Sequence, residues 1–179
     1  VADEFRAIWD ETTDLPGATI TLSVMNGVDV IYVAARNSKN HPSFFEFTIG
    51  KRLPAAFTAT GKAFLMQMPD AEIRRLFKTK FPEPMTRKSV RNVDDLIREV
   101  QKCRNLGLAI DDEEVSEGMR CYGTTVHNDK NEPIAGIAVS LPAEQSPAIG
   151  ENRIIETLTF VARRISQRLG ADLSSLHRL

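Results

Sequence analysis

Apolar and polar residues change their period several times along this chain, and each change predicts an element. Over residues 3–14, Phe5, Ile8 and Trp9 recur at helical spacing with Asp3, Arg6 and Asp10 between them, and Pro16-Gly17 stops the pattern. ATITLSVM (18–25) and VDVIYVAAR (28–36) are rich in β-branched residues, and the Asn26-Gly27 between them predicts a tight hairpin. A polar loop over 37–43 leads to FFEFTIG (44–50), whose alternation predicts a third strand. After the turn Lys51-Arg52-Leu53-Pro54, Thr58 is placed to cap a helix over 58–68. Pro69-Asp70 opens a second helix with Ile73, Leu76 and Phe77 on its apolar face. A proline-broken loop (81–90) follows, then a third helix, VDDLIREVQKCRNL, capped by Asn92 and ended by Gly107.

Three strands are predicted next, over 107–113, 118–128 and 133–141, the last two joined by a turn at Asn128–Glu132. Pro147 begins a long helix over 147–169, striped by Ile154, Ile155, Leu158, Val161, Ala162, Ile165 and Leu169 and ended by Gly170. The tail Ser174–Leu179 is expected to fray. The order is therefore α-βββ-ααα-βββ-α. Short hairpin connections imply an α+β fold, a mainly antiparallel sheet of about six strands with helices packed on it. A single domain over 1–179 is expected, long enough for a sizeable core.

Composition narrows the function. Apolar residues make up 42% and charged residues 26%, with a net charge of -1. Without a basic surplus, this chain by itself is not expected to bind nucleic acid. No apolar run reaches the roughly 18 residues that span a bilayer, and the opening VADEFRAIWDE is charged and amphipathic, unlike a signal peptide. It begins in mid-helix pattern at Val1, so a piece of a longer protein is expected. Two cysteines, Cys103 and Cys121, cannot build a secreted disulfide framework, which points to a reducing cytoplasm.

Candidate chemistry is sparse. Asp111-Asp112-Glu113-Glu114 is either a solvated strand end or a cation site, but strand alternation puts at most two of the four on one side. Asp111 shares a face with Ala109 and Glu113 by that alternation, and could turn inward. Cys121 is open to three readings: pocket or core residue, nucleophile, or redox sensor paired with Cys103. His41, His127 and His177 are isolated in loops or ends, without HExxH or CxxC spacing, so neither a metal nor a cofactor is expected. Gly61-Lys62 fails as a phosphate-binding loop, because Ala56 stands at the first glycine and Ala63 at the Ser/Thr. What remains is a helix opening with Thr58, Ala59, Thr60 and Gly61. Its free amides suit an anion, and its small side chains equally suit close packing on a sheet. The scattered basic pairs read as solvated surface.

Two segments together, GKRLPAAFTATGKAFLMQMPDAE (50–72) and GLAIDDEEVSEGMRCYGTTVHNDKNEPIAGIAVSLP (107–142), resemble the effector-binding domain of IclR-type transcriptional regulators. The shared features are Leu-Pro before a small-residue Gly-Lys-Ala helix start, Gly-x-x-x-Asp-x-Glu-Glu, Gly-x-x-Cys and a Gly-x-x-x-Ser-x-Pro strand. The resemblance implies a GAF/profilin-like, non-enzymatic sensing domain that binds a small organic acid as a homodimer or homotetramer. Operator DNA would be read only by an N-terminal winged-helix domain that this chain lacks, and residues 1–15 would be the end of a linker helix. Carried over residue by residue, the ligand site falls on Ala59, Thr60 and Gly61 at the helix opening, then on Asp111, Met119, Cys121, Ala138 and Ser140. Phe45 would lie on a mobile segment closing over the ligand. The chain departs from the family pattern at Ala59, at Gly123-Thr124-Thr125-Val126 and at Ala138. One strand hydroxyl is lost and two are gained nearby, so a larger or aromatic acid is the expected ligand. The alternative is a small cysteine-dependent enzyme or thiol redox sensor using Cys121.

Overall fold

The structure, a computed structural model, describes residues 1–11, 15–38, 45–172 and 174. His41, Phe44 and His177 fall outside these residues, as do positions 12–14 of the predicted first helix and nearly all of the tail. Helix α1 (Ala2–Glu11) buries Phe5, Ile8 and Trp9, the residues its period marks out. Strands β1 (Thr19–Asn26) and β2 (Asp29–Asn37) form the hairpin, with Gly27 at φ 62° in the turn. Three helices follow the short strand β3 (Arg52–Pro54): α2 (Ala59–Met66), α3 (Asp70–Leu76) and α4 (Val93–Leu106). Their caps are local chemistry. The Thr58 side chain accepts from the Gly61 amide, the Asn92 side chain accepts from the Asp95 amide, and Gly107 ends α4 at φ 80°. Strands β4 (Ala109–Asp112), β5 (Met119–His127) and β6 (Pro133–Pro142) precede the helices α5 (Ser146–Ile149) and α6 (Glu151–Arg168).

All six strands join one antiparallel sheet in the order β3-β2-β1-β6-β5-β4. The sheet is sandwiched. On one side, α1 and α6 cover Ile20, Leu22, Tyr122, Ile137, Val139 and Leu141. On the other, α2 lies across β4, β5 and β6, with α3 and α4 outside it in a second core built on Phe57, Leu65, Ile73, Leu96 and Val100. No helix of the described residues is long and apolar enough to cross a membrane.

Two expectations need correction. Residues 45–50 are loop, and the third strand is Arg52–Pro54, which pairs with Asp29–Ile31. The alternation in 44–50 has another cause: Phe45 and Phe47 are partly buried over Met119, Cys121 and Ala138 rather than paired into the sheet. The helix expected over 147–169 is two helices, broken at Gly150, whose φ of 89° and ψ of 119° no helix accommodates.

Candidate functional site

The face of the sheet beneath α2 is assembled by register. Asp111 on β4 lies opposite Cys121 on β5, Cys121 opposite Ser140 on β6, and Ser140 opposite Thr19 on β1. One polar row thus crosses four strands. Within it the Cys121 thiol donates to Ser140 Oγ at 3.2 Å. The neighbouring row runs Ala109, Gly123, Ala138, Thr21. Small residues in this second row let α2 come down onto the sheet. A Cβ on Gly123 would stand 2.6 Å from the Ala59 carbonyl carbon, and one on Gly136 would stand 2.8 Å from Thr60 Cβ. Both distances are shorter than side chains tolerate, so glycine is required at each place.

Close packing delivers the start of α2 to the polar row. Thr58 Oγ1 accepts the Gly61 amide at 3.1 Å, and the Thr58 carbonyl accepts the Lys62 amide. Those caps leave the Ala59 and Thr60 amides, the first two of the helix, without a hydrogen bond to the described chain. Ala59, Met119, Cys121 and Ala138 form one buried cluster, roofed by Phe45, Phe47 and Val115. A cavity of roughly 320 Å³ adjoins it, lined by Tyr32, Phe45, Phe47, Leu53, Val115 and Met119 among others. Six of the sequence-nominated residues are therefore brought together through this cluster and the polar row: Ala59, Asp111, Met119, Cys121, Ala138 and Ser140, with Phe45 above them. Thr60 packs its side chain over Gly136 and leaves its hydroxyl buried without a partner. Gly61 stands apart, its amide capped and its Cα against the Ala55 backbone.

Sequence reasoning missed the electrostatic centre. Lys62 is fully buried, and its ammonium meets the Glu114 carboxylate and donates to the Ile110 carbonyl at 3.0 Å. The acidic quartet is thus only half solvated. Asp112 and Glu113 face Lys88 at the surface, while Asp111 and Glu114 are buried, at 1% and 6% exposure. Alternation paired Asp111 with Glu113. Glu113 instead adopts φ 62°, which reverses the chain locally and turns Glu114 inward. Ser89 Oγ and Thr86 Oγ1 then clamp the turn by donating to the Glu114 and Glu113 carbonyls, both at 2.7 Å. A lysine flanked by Gly61 and Ala63 was the available signal, since such a position on an apolar helix needs a partner.

Burial sets the protonation of the row. It pushes the Asp111 carboxyl up to about 7, against the opposing pull of Lys62 and of the Glu114 and Val115 amides on its Oδ1. The Glu114 carboxyl is also raised, by burial that outweighs Lys62. Burial, then the charge of Asp111, raises the Cys121 thiol well above its ordinary value, and the Tyr32 hydroxyl is raised by burial and by both neighbours. A nucleophilic cysteine needs the opposite shift. Nor is a disulfide present: both cysteines are free, Cys103 packing with Ala63 and Ala109. Of the two hydroxyls expected near Ala138, Thr125 faces Gly136 and is buried without a partner. Thr124 lies opposite Ile137, on the α6 side of the sheet. His127 is buried at the end of β5, its backbone N–H donating to Ser166 Oγ at 3.0 Å.

Comparison with known proteins places this arrangement. A family described as "Bacterial transcriptional regulator IclR C-terminal" matches residues 1–167. The HTH-type transcriptional repressor AllR of Escherichia coli is 24% identical over 159 residues, which cover 87% of this chain and 57% of AllR. The chain thus spans a little over half the length of that relative. Among solved structures, the Agobacterium tumefaciens repressor BlcR aligns with a TM-score of 0.84 at 36% identity, over 96% of this chain and 67% of BlcR. The C-terminal domain of the E. coli transcriptional regulator KdgR aligns with a TM-score of 0.79 at 25% identity, over 94% of this chain and 96% of that domain.

Proposed function

Since the chain belongs to the IclR family of bacterial transcriptional regulators, as their C-terminal, effector-binding domain, we propose that it senses a small organic acid between the start of α2 and the sheet, next to the cavity lined by Phe45, Phe47 and Met119. The relatives are transcriptional regulators rather than enzymes. The observation that carries the proposal is the polar row Asp111–Cys121–Ser140, closed from above by the first turn of α2, whose Ala59 and Thr60 amides have no hydrogen bond to the described chain. Few polar groups converging in an apolar enclosure are what a small-molecule site requires. The Ala59 and Thr60 amides hold the carboxylate of the acid, as helix N-termini hold anions. Ser140 donates a hydrogen bond, and Asp111 meets a second oxygen of the ligand. Met119, Ala138 and Phe45 enclose its apolar body. With alanine at position 138 in place of a hydroxyl, and roughly 320 Å³ beyond Met119, an acid with a larger or aromatic body fits better than the smallest keto acids.

Regulation follows from linkage. The acid changes DNA binding only if it binds two quaternary arrangements with different affinity. We take the domain to span 1–179, with residues 1–15 as the end of a linker helix, and to act in a cytoplasmic homodimer or homotetramer. Operator DNA is contacted by a winged-helix domain N-terminal to this chain. The test is a thermal-shift screen of this chain against a library of organic acids, repeated with Ser140→Ala. Acids that raise the melting temperature without being turned over, and do so less in the variant, support the proposal. A library in which no acid stabilises the chain sinks it.

A further inference from the structure

The site contains one buried cation for two buried carboxyl groups. Lys62 is committed to Glu114 and to the Ile110 carbonyl. Asp111 Oδ1 accepts two backbone donors, Glu114 N–H at 2.7 Å and Val115 N–H at 3.3 Å, and the neutral Cys121 thiol lies within hydrogen-bonding reach of the carboxyl. Around Asp111, α2 contributes Lys62, the turn after β4 contributes Glu114, β5 contributes Cys121 and β2 contributes Tyr32. Only the first of these is positive. Lys51 and Glu46, at the mouth of the cavity, are exposed to solvent.

An acid held at the start of α2 adds a second anion to this enclosure. Ala59 sits over Gly123, which is two residues along β5 from Cys121, the residue opposite Asp111. Gly123 is therefore the diagonal cross-strand neighbour of Asp111, and such positions are separated by roughly 7–8 Å. At that separation in a poorly solvated interior, two negative charges repel strongly, and among the described residues Lys62, already paired with Glu114, is the cation that acts on Asp111.

We propose that acid binding brings one proton onto Asp111, so that the acid and Asp111 together carry a single negative charge. The inference rests on the ligand-sensing role proposed above and adds a chemical class to it. The proton comes from solvent and no covalent bond changes. Protonated Asp111 becomes a donor through the oxygen its amides leave free. The preferred ligand therefore carries an acceptor oxygen (hydroxyl, keto or aldehyde) as well as its carboxylate. Burial already holds the Asp111 carboxyl at about 7 before anything binds, so a modest additional field suffices to protonate it at neutral pH.

The test is titration calorimetry of this chain at pH 8 with lactate, 3-hydroxybutyrate and 3-hydroxybenzoate, each in phosphate and in Tris. These buffers release protons with different enthalpies, so their difference counts protons. Uptake approaching one proton per bound acid is expected. The Kd should stay flat below about pH 7 and weaken by up to roughly tenfold per pH unit above it. Asp111→Asn, which can still accept the Glu114 and Val115 amides, should lose both the uptake and the slope. Binding without uptake overturns this inference and leaves the sensing role standing, and so does an Asp111→Asn variant that keeps the slope. Binding of none of the three acids overturns the chemical class inferred here, and the sensing role falls with it only if the library screen also finds no acid that stabilises the chain.

Discussion

Replacing Lys62 by methionine should destabilise this chain more than any substitution of a surface lysine. The new side chain fills a similar volume, so packing is nearly conserved and the effect is electrostatic. Among the described residues Lys62 is the one cation paired with Glu114, which is 6% exposed and already has one carboxylate oxygen without a hydrogen-bond partner. Removing one member of a buried pair leaves an uncompensated charge, at a cost of about 3–5 kcal/mol. The Ile110 carbonyl loses its donor as well, which adds about 1 kcal/mol. For a chain of this size, each kcal/mol moves the melting temperature by about 2–4 °C, so a fall of roughly 8–24 °C is expected. The exposed pair Arg74–Asp94 provides the control, because its side chains are 52% and 60% exposed. Breaking that pair should cost no more than about 1 kcal/mol.

Two further arms isolate the cause. In Lys62→Met, the folded-state pKa of Glu114 rises further above its unfolded value, so the penalty is present at neutral pH and disappears as Glu114 protonates in acid. The deficit measured by calorimetry at pH 7.5 should therefore shrink at pH 5. The double variant Lys62→Met/Glu114→Gln removes both charges and should recover most of the loss. A single variant that falls by less than about 1 kcal/mol, below the range for a buried pair, or a double variant no more stable than the single, would refute the reasoning.

Gly123→Ala should lower the urea midpoint by the equivalent of about 1–3 kcal/mol, because its Cβ meets Ala59 backbone atoms at 2.6 and 2.7 Å that no rotamer change can move. The same variant should weaken acid binding in the thermal-shift assay, and unchanged binding would detach the start of α2 from the ligand. Asp111→Asn should gain stability at pH 8 but not at pH 4. The Asp111 carboxyl is raised from 3.8 to about 7 on folding, so the folded chain binds more protons than the unfolded chain between those values. Its stability then falls by roughly 2–4 kcal/mol as pH rises through that window, a loss asparagine does not share. Urea denaturation at the two pH values measures the difference, and equal effects at both would contradict it.

The features legible in the sequence are those set by local chemistry. The Asn26-Gly27 hairpin, the Thr58 and Asn92 caps, the Gly107 terminus and the striped outer helices each rest on a few adjacent residues. Alternation failed at FFEFTIG because a period of two records which residues are covered, not what covers them. Phe45 and Phe47 are covered by the cluster they roof, and no strand partner is needed. Alternation failed again at the acidic quartet, where the positive φ of Glu113 exchanges which glutamate points inward. Nothing in the residue types announces that turn. Its stabilising partners, Thr86, Ser89 and Lys62, come from more than twenty residues away. The candidate site was legible as a list through family resemblance, but not as an arrangement. The row that sets Asp111 beside Cys121 and Ser140 exists only through the pairing of three strands.

The small residues opening α2 were open to two readings, close packing on the sheet or an anion site; the structure shows the first, and its geometry is compatible with the second as proposed above. Ala59 against Gly123 is close packing in the strict sense, with no room for a Cβ on the strand. That contact is also the means by which two uncapped amides can reach a polar row on a buried face. A larger residue at either position would lift the helix start away from Asp111, Cys121 and Ser140. One turn along α2, Lys62 holds the Glu114 turn, and Val115, the next residue, lines the cavity. The helix therefore carries three things at once: the amides, the glycine-permitted contact that positions them, and the cation that fixes the opposite wall. Any ligand that shifts α2 by a fraction of an ångström must disturb all three, because a close-packed interface moves between discrete arrangements rather than deforming smoothly. An effector bound against this helix, as proposed above, would thus be coupled to the outer core of α3 and α4, through contacts that would be needed for folding even if nothing were bound.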